Sequence, residues 1–314
     1  MLRHIGFFIF FAIAFSACNE DFFDQVVDID PPPHTPQITA FLTVSNRDTG
    51  LAFKVGRSYG LLEQTPDSAY YLRGATVAIY ENGALWEEFA GHNSFPEVYE
   101  YISKIENTPQ SGRTYELRIS HPDFGQVSAV QTMPVPISVI KTEGQLNGGI
   151  TGFGDRLSAV YATVNDPPGE KNYYALGISE MSFFLQPIFD DQFNIIGFDT
   201  IGVDEYRSYL DDSLDPAGIP GMNGEILFSD EAFDGQNYRL SARFYNYNQQ
   251  QGRTVQLHLR HVTPEYYRFS ITERRRYDAE DFPLAEPVTV FYNLQGGIGI
   301  FRMAHEQTFS VELK

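Results

Sequence analysis

Period-two alternation of apolar and polar residues dominates the chain. Ile38, Ala40, Leu42 and Val44 alternate with Gln37, Thr39, Phe41 and Thr43, and Leu51, Phe53 and Val55 repeat the pattern. Such alternation predicts strands with one buried face. Val77 and Ile79 lead into Glu81-Asn82-Gly83, and Leu85-Trp86 follows. Asn-Gly between two such runs predicts a tight hairpin, because both residues tolerate positive φ. Further strands are predicted at 98–102, 115–119 and 127–130, which makes 37–135 a small antiparallel β-sandwich. Met133-Pro134-Val135-Pro136 marks a boundary. Beyond it, strands are predicted at 157–164, 173–178, 238–244, 255–259, 288–292 and 309–313. One helix is predicted, over 264–278, where Thr263-Pro264-Glu265 supplies an N-cap, a proline at the first helical position and an acid in the first turn. The expected fold class is therefore mostly β: two antiparallel β-sandwich-like domains, 37–135 and 136–314, the second with one surface helix. The stretch 204–223 has no clean alternation and is expected to be a long loop.

The N-terminus has a different texture. Arg3 precedes an apolar run from Ile5 to Phe15, too short to span a bilayer, and Ser16-Ala17-Cys18 follows. Residues 1–17 are expected to be a signal peptide. Small residues before a cysteine resemble a bacterial lipobox, in which the thiol is lipidated, and Cys18 is the single cysteine of the chain. Residues 18–36 then form an acidic tether ending in Pro31-Pro32-Pro33, a composition that favours an extended spacer. The acids at Glu20, Asp21 and Asp24 resemble the surface-export signal of Bacteroidota lipoproteins; a plain solvated tether would look the same.

Composition narrows the partners. The 314 residues carry 22 Lys and Arg against 41 Asp and Glu, a net charge of −19. Nucleic acid is excluded as a partner, because neutralising phosphates needs a basic face. A polybasic grip on anionic lipid is excluded for the same reason. With 15% aromatic residues the chain is not intrinsically disordered.

Several short motifs invite a chemical reading and meet a structural objection. Gly56-Arg57-Ser58-Tyr59-Gly60 matches the nucleophile-elbow pattern, but that elbow needs a helix after the serine and Pro66 would stop one. His258 and His261 lie on an alternating strand, so they point to opposite faces and cannot share a metal. His258, Gln256 and Arg260 are expected to form a solvated face. Asp211-Asp212 with Asp215, and Asp230-Glu231 with Asp234-Gly235, lack the alternate-oxygen spacing of a calcium loop. No cofactor and no metal is expected, with structural calcium left as an alternative. Gly296-Gly297-x-Gly299 has no following Lys-Ser/Thr and is expected to be a hairpin or bulge. No catalytic residue is expected. Candidate ligand or partner contacts are Tyr206 and Tyr209 in 204–223, with Tyr245 and Tyr247 in the polar run 245–252; exposed tyrosines and amides suit a glycan or a peptide.

The assembled motifs resemble the domain-of-unknown-function family numbered 4249, outer-membrane lipoproteins of Bacteroidota. The carriers in the first domain are Gly74-Ala75-x-Val77-x-Ile79 and Gly112-x-Thr114-Tyr115-x-Leu117-x-Ile119, a pattern shared with Ig-like and carboxypeptidase-regulatory-like sandwiches. In the second they are Asp166-x-x-Gly169, Asn172-Tyr173-Tyr174, Phe228-Ser229-Asp230 with Gly235, and Tyr266-Tyr267. The most specific stretch is Glu286-Pro287-Val288, then Asn293, then Gly297-x-Gly299-x-Phe301. Arg302-Met303 departs from the small residues expected after that Phe. The resemblance implies a lipid-anchored protein of the outer membrane, facing the exterior. It implies a binding or accessory role beside a TonB-dependent receptor of nutrient uptake, and it carries no catalytic residues. A surface hydrolase and a structural or adhesive surface protein remain the alternatives.

Overall fold

The computed structural model describes residues 32–64, 70–95, 98–207, 210–211, 215–222, 224–245, 252–280 and 286–314. Side chains at 181–185, 200–207 and 210–211 are outside the description. Residues 32–35 and 59–64 belong to one compact unit, where the Gly60 amide donates to the Glu63 carboxylate at 3.2 Å. Residues 36–58 and the described residues from 70 onward form the other, which carries the fold.

The strands, in chain order, are β1 (Ile38–Ser45), β2 (Ala52–Phe53), β3 (Val55–Arg57), β4 (Thr76–Glu81), β5 (Ala84–Phe95), β6 (Val98–Ser103), β7 (Thr114–His121), β8 (Gly125–Thr132) and β9 (Ser138–Ile150). They continue with β10 (Arg156–Asn165), β11 (Tyr173–Phe189), β12 (Ile195–Arg207), β13 (Leu210–Asp211), β14 (Ile219–Pro220), β15 (Glu225–Ser229), β16 (Asn237–Tyr245), β17 (Thr254–Val262) and β18 (Ile298–Glu312). The helix α1 covers Pro264–Glu280, close to its predicted span.

An eight-stranded sheet runs β14-β15-β11-β17-β18-β1-β3, with β12 added to the far half of β11. Its inner face packs on two smaller sheets. Ile38, Leu42 and Val44 of β1, with Phe301 and Met303 of β18, share a core with Val77, Ile79, Leu117 and Ile119 of the sheet β2-β6-β5-β4-β7-β8. Leu176, Ile178, Leu257 and Leu259 share a second core with Val160, Val164, Leu240 and Phe244 of the sheet β13-β16-β10-β9. The arrangement is sandwich-like and mostly β, as the alternation predicts. Asn82 and Gly83 form the predicted hairpin turn, with φ of 48° and 86°.

Three features differ from the sequence reading. First, β1 pairs in parallel with β18, Thr39 opposite Ile298 through Ser45 opposite Ala304. Alternation reports a buried face but not the partner. Second, 204–223 is not one loop: 204–207 complete β12, 210–211 form β13 and 219–220 form β14. β12 hydrogen-bonds along the extension of β11, from Ser179 opposite Arg207 to Phe189 opposite Ile195, with register shifts at 184/185 and 188/189. Third, 288–292 is not a strand. It runs beside α1, with Val290 packed on Phe269 and Ile300, and the Phe291 amide donates to Thr272 Oγ1 at 2.9 Å.

Candidate functional site

The outer face of the eight-stranded sheet carries the site. Even-numbered residues of β17 and β18 point outward, as do Glu225 and Leu227 of β15. Beneath the first two turns of α1, Ala175, Leu227, Val262 and Ala304 bury Tyr266 and Ile271. Beside that apolar seat the face turns polar. Arg260, expected to be solvated, is only 9% exposed. Its Nε donates to Glu306 Oε2 at 2.6 Å and its Nη1 to Glu225 Oε2 at 3.3 Å, while the Tyr266 hydroxyl donates to the same Glu225 oxygen at 2.9 Å. The helix and the loop after β1 roof this stretch, which period-two alternation cannot foresee.

Electrostatics follow from that enclosure. Burial alone would raise the Glu306 carboxyl, but the His258 hydrogen bond and the Arg260 charge outweigh it and hold it at about 2. Burial, then the adjacent Glu225 carboxylate, pushes the Tyr266 phenol well up, so it stays a donor.

A recess of about 400 Å³ opens over this network. Arg302, Arg47, Asp48, Thr43 and Ser45 complete its lining. The loop that presents Arg47 and Asp48 is fastened down: Asn46 Nδ2 donates to the Glu306 carbonyl at 3.2 Å, and the Ser45 amide donates to Asp48 Oδ2 at 2.7 Å. Arg47 reaches Thr308 Oγ1 and lies 3.5 Å from Glu306. Arg302 differs from the other cations. Its Nε donates to Thr43 Oγ1 at 2.8 Å, its Nη1 to Ser270 Oγ at 3.0 Å, and its plane lies 4.2 Å over the Tyr266 ring. Neutral oxygens and an aromatic face hold it, and no carboxylate of a described residue pairs with it within 4 Å. It is the residue at which the chain departs from the resemblance's pattern.

Next to the recess stands a Ser-His-Glu arrangement that the sequence reading missed. Ser179 Oγ lies 2.6 Å from His258 Nε2, and His258 Nδ1 lies 3.1 Å from Glu306 Oε1. The distances suit a nucleophile, base and orienting acid. The surroundings do not. Ser179 is 2% exposed and sits mid-strand, paired with both Gln256 of β17 and Arg207 of β12, so its neighbouring amides serve the ladders and not an oxyanion. The signal was the shared outward parity of 179, 258 and 306, visible only once the strand order is known. Ser58 accepts the Gln37 amide at 2.9 Å, a strand-end role. His261 points inward and stacks on Tyr174, opposite to His258 as predicted.

The other expected sites fare as follows. Tyr245 ends β16, half-buried. Tyr206 lies on β12 opposite Glu180, and Leu210 of β13 pairs with Phe244, so backbone near the two tyrosine-bearing segments meets at one edge. Tyr209, Tyr247 and the Tyr206 side chain lie outside the described residues, as does Cys18. Asp215, a calcium candidate, is buried and accepts from Tyr238, Ser241 and the Ala217 amide. Asp166, Asp230 and Asp234 bring carboxylate oxygens within 4.8 Å of one another. Each is already engaged: Asp166 by Tyr174 and the Gly235 amide, Asp230 by the Asn172 amide, Asp234 by the Gly169 amide. The motif residues Asp166, Gly169, Asn172, Tyr174, Asp230 and Gly235 thus meet in one structural knot.

A family model described as "Domain of unknown function (DUF4249)" matches residues 25–310. No curated protein matches the chain in sequence. Among solved structures, a DUF4785 family protein from Legionella pneumophila is 9% identical with a TM-score of 0.22, over 72% of this chain and 51% of that one. A protein from Corynebacterium diphtheriae described as membrane anchored is 12% identical with a TM-score of 0.19, over 73% and 55%. The chain spans about half the length of both.

Proposed function

The chain belongs to the DUF4249 family, and we propose that it is a binding component of the outer-membrane surface, anchored through lipid on Cys18. In this reading it serves a TonB-dependent nutrient-uptake receptor and holds a small carboxylate-bearing ligand, a sugar acid or a peptide C-terminus, in front of Arg302. The observation that carries the ligand class is the state of Arg302: a guanidinium lining a recess, stacked on Tyr266 and oriented by Thr43 and Ser270, with no carboxylate of a described residue paired to it. Planar guanidinium groups match carboxylates two bonds at a time. A recess of about 400 Å³ suits a ligand of one or two sugar or amino-acid units.

Isothermal titration with glucuronate and with an unblocked dipeptide tests the ligand class. Binding by the native chain that is lost in Arg302→Ala, with unchanged circular dichroism, supports it; absence of binding to either probe, or binding indifferent to Arg302→Ala, overturns it. Co-purification of a TonB-dependent receptor with the tagged chain tests the accessory role separately.

A hydrolase is the second reading, favoured by the Ser179–His258–Glu306 distances. A fluorophosphonate probe decides between the two. Labelling that disappears in Ser179→Ala would replace the binding reading with the catalytic one.

A further inference from the structure

Beyond Ser179 and Gly177, the last β11 residues paired with β17 and β15, β11 continues to Phe189 with β12 as its ladder partner. The result is a two-stranded ribbon running past the edge of the sheet. Its end is apolar on both faces. Ile188, Phe189, Phe193, Ile195, Ile196 and Phe198 are all exposed. Phe193 is 86% exposed and has φ of 60°, at the left-handed position of a three-residue turn where glycine or asparagine is usual. The fold gains nothing from a phenyl ring there, so an exposed, strained aromatic points to a contact outside the molecule.

The charges at the tip say what kind of contact. From Glu180 to Tyr206 the chain has no Lys or Arg, and Asp191 and Asp199 flank the apolar cluster. An anionic lipid surface would repel it. β1 and β11 also run in the same direction within the sheet, so the chain enters this unit at the end away from the tip.

The complement of this tip lies at the other end of β11. A groove of about 640 Å³ is floored by Tyr173, Ile219, Ile271 and Val290 and bordered by Arg268 and Arg275. Arg268 stacks on Phe291 at 3.9 Å, and neither arginine has a carboxylate partner among the described residues. Glu231 is the one acid among the described residues of the lining. Tip and groove are thus apolar surfaces with opposite charge at their borders. They sit at opposite ends of one strand, roughly 50 Å apart at about 3.3 Å per residue.

We propose that the hairpin tip docks into the helix groove of a second copy of this chain. A two-fold axis across β11 sets two copies antiparallel, so each tip meets the other's groove in one closed contact. Phe193 and Phe198 enter between Tyr173 and Ile271, and Asp191 and Asp199 face Arg268 and Arg275. The reciprocity matters, because a single hairpin tip falls short of the roughly 1,200 Å² that a stable interface buries.

Sedimentation velocity of the intact chain in density-matched detergent, across a wide concentration range, tests this. A dimer is expected. Phe193→Asn with Phe198→Ser raises its dissociation constant roughly tenfold or more, and Asn suits the left-handed turn, so folding is kept. Arg268→Glu with Arg275→Glu does the same, and adding Asp191→Lys and Asp199→Lys restores association. A monomer at every concentration overturns the proposal, as does a dimer indifferent to both sets of changes. A photo-crosslinker at position 193 gives an independent readout. Attachment to α1 or to 289–292 of a second copy supports it, and attachment only to lipid or another protein overturns it.

Discussion

Arg260 and Glu306 stand directly opposite one another on β17 and β18, and their side chains close the register with a 2.6 Å charge-assisted hydrogen bond. Glu225 on β15, two strands away on the same face, shares the same guanidinium. Removing one partner leaves a charge enclosed without its counterion. Glu306→Gln and Arg260→Met should each cost about 3–5 kcal/mol, read from urea unfolding midpoints. A loss below 1 kcal/mol would mean that water reaches the pair freely.

The depressed Glu306 carboxyl fixes a pH dependence. Its folded value of about 2 lies below its ordinary 4.5. The stabilisation is therefore complete above about pH 5 and is lost as pH falls toward 2. The native chain should lose stability through that window more steeply than Glu306→Gln. Parallel acid-unfolding curves for the two would contradict the assignment.

Gly299 tests the pairing of the first and last strands. Its φ is 142°, and a Cβ there would sit 1.8 Å from the Ala40 carbonyl oxygen. Gly297 makes a similar approach, 2.5 Å from the Ile38 carbonyl. Gly299→Ala should separate β1 from β18 and cost about 3 kcal/mol or more, whereas Gly83→Ala, strained but in open space, should cost about 1–2 kcal/mol. Thermal unfolding of the two variants decides it.

Cys18→Ser should leave the chain unprocessed or released from the membrane fraction. Unchanged processing and fractionation would remove the lipid anchor from the proposed function, while leaving the Arg302 and hairpin experiments intact.

The sequence by itself determined the strands with a clean period, the Asn82-Gly83 turn and the helix start at Thr263-Pro264. These depend on local φ preference and on which face is buried, and both are written in neighbouring residues. It also carried the family: Asn293, whose side chain bonds both the amide and the carbonyl of Phe301, and Gly299, which lets β1 approach β18, are the physical content of the most specific motif. Tertiary structure alone decided that β1 pairs with a strand some 260 residues away, as the register from Thr39 opposite Ile298 to Ser45 opposite Ala304 shows. It also decided that Arg260, placed like any solvated strand residue, is enclosed by α1 and Glu225. Period-two patterning tells inside from outside only where one face meets water. On the outer face beneath the helix a second layer covers polar residues, and the enclosure of Arg260, Glu306 and His258 follows from that layer, not from the order of residues along any one strand.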